Sequence, residues 1–82
     1  MNMATATNPM TTPRTPLKIS VSQAARIMGK SDLFVRIGMQ REALPIGEAW
    51  QMPGSTRWTY YISPAQLAAY IGVTVEELRT WL

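Results

Sequence analysis

Three residues, Gly29-Lys30-Ser31, decide most of what this chain can fold into. They lie between two segments with helical periodicity. Before them, Val21, Ala24, Ala25 and Met28 recur at i, i+3, i+4 and i+7, the spacing of one apolar helix face. Ser20 and Gln23 open that segment as an S-x-x-Q capping box. Gly29 closes it, because glycine takes a left-handed C-terminal position without steric cost. After the junction, Ser31 is an N-cap and Asp32 a first-turn carboxylate favoured by the helix dipole. The second helix is predicted from Asp32 to about Glu42. Two helices joined this tightly, with a glycine in the turn, carry the helix-turn-helix signature.

The residues that follow change period. Pro45 pushes Leu44 out of the α region and ends the second helix. "IGEAWQM" and "RWTYYI" are rich in strand formers, and "PGST" (Pro53 to Thr56) between them is a turn, so a β-hairpin is predicted. Trp58, Tyr60 and Ile62 share one face of its second strand, and Arg57, Thr59 and Tyr61 the other. "SPAQLAAYIG" is a third helix, with Ser63 as N-cap, Pro64 at its first position, Gln66 closing a second capping box and Gly72 as stop. "VTVEELRTWL" is a fourth, opened by Thr74 and Glu77, with Leu78, Trp81 and Leu82 as its apolar side. The expected fold is mostly α with one small hairpin, spanning residues 17–82. Residues 1–16 are Thr, Pro, Ala and Asn with a single charge, Arg14, and read as a flexible tail.

Composition removes several function classes. The chain has neither cysteine nor histidine, which excludes disulfides, thiolate metal sites and the commonest general base. It holds no phosphate-cradling glycine loop and no promising carboxylate pair, so neither catalysis nor a cofactor is expected. Glu76 and Glu77 are explained by the helix N-terminus, where carboxylates are favoured. No run approaches the roughly 18 apolar residues of a membrane span, and the N-terminus has no apolar signal region. A cytoplasmic protein of a bacterial cell is expected. The net charge is +3, a mild basic bias. It is uneven: residues 17–44 hold Lys18, Arg26, Lys30, Arg36 and Arg41 against Asp32 and Glu42, whereas residues 45–82 hold Arg57 and Arg79 against Glu48, Glu76 and Glu77.

The ordered pieces "SVSQAARIMGKS", "FVRIGMQREALP", "GEAWQMPGSTRWTYYIS" and "SPAQLAAYIG" together resemble the winged helix-turn-helix proteins of the excisionase and MerR-like group, over about residues 18–72. The likeness is nearest to small phage and mobile-element DNA-binding proteins of Gram-positive bacteria. It implies double-stranded DNA as partner, with an integrase or recombinase, or further copies of the chain, beside it. The sequence ends at Leu82, without the dimerising coil and effector domain of the larger MerR regulators, so a minimal excision or regulatory factor is expected.

The same resemblance places Val35, Gly38 and Met39 on the inward face of the second helix, with Gly38 letting the first helix approach. Phe34 is assigned to packing. Asp32, Leu33, Arg36, Ile37 and Gln40 then face outward beside Ser31 and Arg41. Arg can read guanine and Gln adenine through two hydrogen bonds each, and Leu or Ile can lie against a thymine methyl. Arg26 and Lys30 are candidates for phosphates. The hairpin tip offers Ser55, Thr56 and Arg57, with Arg57 the minor-groove or phosphate candidate. Leu33 and Ile37 equally suit a second reading, in which the same fold binds a protein as a host-protein inhibitor or a particle-assembly component.

Overall fold

The computed structural model describes residues 17–82. The tail reading of residues 1–16, with Arg14, lies outside them. The elements run α1 (Val21–Met28), α2 (Asp32–Gln40), β1 (Gly47–Gln51), β2 (Trp58–Ile62), α3 (Pro64–Ile71) and α4 (Val75–Arg79). This is the predicted order: four helices around one antiparallel two-stranded hairpin, an arrangement compatible with a winged helix.

The caps form as their residue types require. Ser20 accepts the Gln23 amide while Gln23 accepts the Ser20 amide, both directions of a capping box. Gly29 takes φ 69° and donates its amide back to α1, ending that helix after two turns. Ser31 accepts the Phe34 amide at 3.0 Å, so α2 starts three residues after α1 ends. Thr74 and Glu77 form the second complete box.

Gln66 does not close the box expected at α3. Ser63 accepts the Gln66 amide, but its own N–H is already donated to the Ile46 carbonyl at 2.9 Å. That bond continues the hairpin ladder, and it leaves the Gln66 side chain no donor to accept from.

α2 is also shorter than predicted. It ends at Gln40 with Arg41 as cap, before Pro45 can act. Glu42 turns the chain with φ 57°, and the amides of Ala43 and Leu44 both return to the Gly38 carbonyl. Leu44 is thereby folded back over α2. A Cβ on Gly38 would stand 3.0 Å from the Leu44 Cβ. The missing side chain makes room for Leu44, not for α1 as expected.

The core is a single cluster. Ala24 and Ala25 come from α1, Val35 and Met39 from α2, Ile62 from β2, Leu67 and Ala68 from α3, and Leu78 from α4. Ile19, Leu44 and Ile46 complete it from the connections. No polar or charged residue is buried among the described residues. Strand alternation holds in β2, where Ile62 is buried and Tyr60 half-buried while Thr59 and Tyr61 are exposed. The apolar side expected of α4 is only partly realised, since Leu78 is buried but Trp81 and Leu82 are exposed. The last turn tightens, with Trp81 and Leu82 donating three residues back, and this swings both side chains off the Leu78 face.

Candidate nucleic-acid interface

The outward surface of α2 divides into two flanks. Successive residues turn by about 100°, so with Val35 and Met39 on the core, Leu33 and Ile37 point furthest from it. Arg36 and Gln40 lie on one flank, and Phe34, Gly38 and Arg41 on the other.

The first flank is polar and faces the neighbouring elements. The Gln40 side-chain amide donates to the Tyr60 hydroxyl at 2.6 Å, which ties the end of α2 to β2. Asp32 accepts from the Ser22 hydroxyl at 2.6 Å, which ties the start of α2 to α1. Arg36 is exposed between these two anchors. Gln40 and Asp32 thus have structural partners, whereas Arg36 is free to meet a ligand.

The second flank is apolar. Leu33, 64% exposed, Phe34, 45% exposed, and Ile37 line a depression of about 350 Å3 with Leu44 and with Tyr70 of α3. Arg41 stands at its rim. The assignment of Phe34 to packing is therefore corrected. As the residue three after the N-cap, Phe34 projects over the first turn, where no other element reaches it. Its ring instead carries the Lys30 ammonium 5.2 Å from the centroid. Such a contact contributes about 0.5–1 kcal/mol at an exposed site, and it holds Lys30 at the start of α2.

No family model, curated protein or solved structure matches this chain. What the site can do therefore rests on its own geometry.

The hairpin positions its tip through a turn matched to its residues. The Ser55 amide donates to the Met52 carbonyl at 3.0 Å across Pro53-Gly54, and Gly54 takes φ 78°, the pattern of a turn with proline second and glycine third. Ser55 then accepts the Arg57 amide at 3.0 Å, so its hydroxyl shapes the loop. Thr56 and Arg57 stay exposed. Arg26 is exposed on α1 beside Ile27 and Trp81. The structure therefore leaves Arg26, Lys30, Arg36, Arg41 and Arg57 available on the surface. It uses Ser31, Asp32, Gln40 and Ser55 for hydrogen bonds that build the fold. Among the described residues no group of three or more His, Asp or Glu could hold a metal ion, and no helix is long and apolar enough to cross a membrane.

Sequence reasoning missed two participants. Tyr60 was read as a core-covering aromatic, yet its hydroxyl anchors Gln40. Tyr70 was not singled out, yet it forms the far wall of the apolar depression. The only signal for Tyr70 was its position in α3 three residues after the core residue Leu67, which sets it apart from the buried Leu67-Ala68 face.

Proposed function

We propose that this chain binds double-stranded DNA as a winged helix-turn-helix of the excisionase and MerR-like kind, with α2 in the major groove and the hairpin on the flanking groove. The observation that carries this reading is the Gln40–Tyr60 bond. It holds the hairpin alongside a second helix that presents Arg36 unpaired, at a three-residue helix junction. Arg36 would read a base edge, most readily guanine. Lys30, Arg26 and Arg57 would meet phosphates, with Thr56 beside them at the hairpin tip. The activity would be binding and architecture rather than catalysis, within a bacterial cell that carries the phage or mobile element. The role would be that of an accessory to excision or of a small transcription regulator.

Mobility shift with short duplexes over a salt series tests this. Arg36→Ala is expected to lose about 1–3 kcal/mol on the preferred site and to relax discrimination there. Lys30→Ala is expected to weaken all sequences about equally. If both variants bind like the parent, the site assignment is wrong. If the parent shows no salt-dependent binding to any duplex, DNA is not the ligand.

A second reading is favoured by one observation, the exposed apolar flank of α2. Contiguous apolar surface of this kind marks protein contact more often than groove readout. Capture of a stable protein partner, together with no duplex binding, would replace the first reading with this one.

A further inference from the structure

The apolar depression on α2 has a charge signature. Its wall residues include Leu33, Phe34, Ile37 and Tyr70, Arg41 stands on its rim and Lys30 over Phe34, and no carboxylate lines it. The chain itself displays a surface of the opposite kind. On α4, Trp81 is 49% exposed and Leu82 is also open to solvent, and Glu76 and Glu77 on the same short helix are both exposed. In one molecule these surfaces do not meet, because Trp81 lies against Arg26 and Ile27 of α1 and takes no part in lining the depression.

We propose that a second copy of this chain covers the depression, placing its Trp81 and Leu82 against Leu33, Ile37 and Tyr70, with its Glu76 facing the cationic rim. An aromatic side chain entering an apolar site is the usual anchor of such a contact, and charges of opposite sign fix its register. Two different patches meet, so the contact is heterologous. It does not close on itself and it propagates head to tail. The association is independent of the DNA reading, and it is measured without DNA.

Sedimentation equilibrium of the full chain over a wide concentration range provides the test. The average mass is expected to rise past that of a dimer, and to do so less at high salt. Leu33→Asp and Trp81→Ala are each expected to weaken association by about tenfold or more. Both side chains are exposed, and far-UV circular dichroism checks that each variant keeps its helices. The decisive experiment mixes the two variants. One copy then has an intact depression and the other an intact Trp81, so the mixture is expected to form a 1:1 dimer that grows no further. A parent that stays monomeric throughout overturns the proposal. A mixture that stays monomeric also overturns it, because the two residues would then belong to one self-complementary patch.

Discussion

Glu42 is the only described non-glycine residue with positive φ, at 57°. The left-handed conformation costs an L-residue roughly 1–2 kcal/mol, and nothing about the glutamate side chain offsets it locally. Its carboxylate is exposed. Position 42 must turn there because the amides of Ala43 and Leu44 have to reach the Gly38 carbonyl. Glu42→Gly removes the steric cost and adds back some unfolded-chain entropy, of roughly 0.5–1 kcal/mol. The net is a gain of about 0.5–1 kcal/mol. Thermal unfolding followed by circular dichroism is expected to show a midpoint higher by roughly 2–8 °C. A midpoint that falls would mean that Glu42 has a partner its exposure does not suggest. The strain was invisible in the sequence, since Glu is a good helix former and the residues around it gave no stop before Pro45. Ser31 was the opposite case: its cap followed from residue type and place alone, because a serine hydroxyl before an apolar-periodic run has few better uses.

At the scale of elements, the helices were legible wherever a cap was local and lost definition wherever a distant strand intervened. α1 and α4 close their boxes within four residues. α3 cannot, because the Ser63 amide is taken by Ile46, a residue 17 positions earlier in the chain. No local pattern records that competition. The hairpin was legible from its turn and its alternation, but its tolerance was not. Gly47 pairs with Ile62 across the ladder, and a Cβ there would lie 1.9 Å from the Tyr61 carbonyl oxygen. Because that obstacle is backbone, no rotamer relieves it. Gly47→Ala is expected to cost about 2–3 kcal/mol, in the range of overpacked sites, and to lower the melting midpoint by at least roughly 8 °C. The Gln40–Tyr60 bond is expected to be lost with it, because β1 must move away from β2. An unchanged midpoint would show that the two strands can separate at this end without cost. The split of α2 into a polar and an apolar flank was legible only in part. Spacing gave Val35 and Met39 as inward, but only the fold shows that Leu44 and Tyr70 border one side and the hairpin the other.

Over the whole molecule, charge and core are segregated. Eleven buried apolar residues and no buried polar one make up the interior, so every cation of the described residues can meet a ligand without first leaving a buried partner. Arg26, Lys30, Arg36 and Arg41 lie on α1, α2 and the junction and cap between and after them, and only Arg57 comes from the hairpin loop. If DNA is the ligand, this distribution sets how binding responds to salt. Each phosphate neutralised releases condensed counterions, and log K falls against log salt with a slope of about −0.9 per contact. Five contacts would give a slope of about −4 to −5. Removing one phosphate contact, as in Lys30→Ala, is expected to make the slope shallower by about 1. Arg57→Ala should do the same if the hairpin tip reaches the backbone. A fluorescence-anisotropy titration of one duplex at four or more salt concentrations measures all three slopes. Equal slopes for parent and Arg57→Ala would take the hairpin out of the interface and leave the helix pair as the whole of the contact. A parent slope near zero would remove electrostatic DNA binding altogether and leave the apolar flank of α2 as the surface that this fold is built to present.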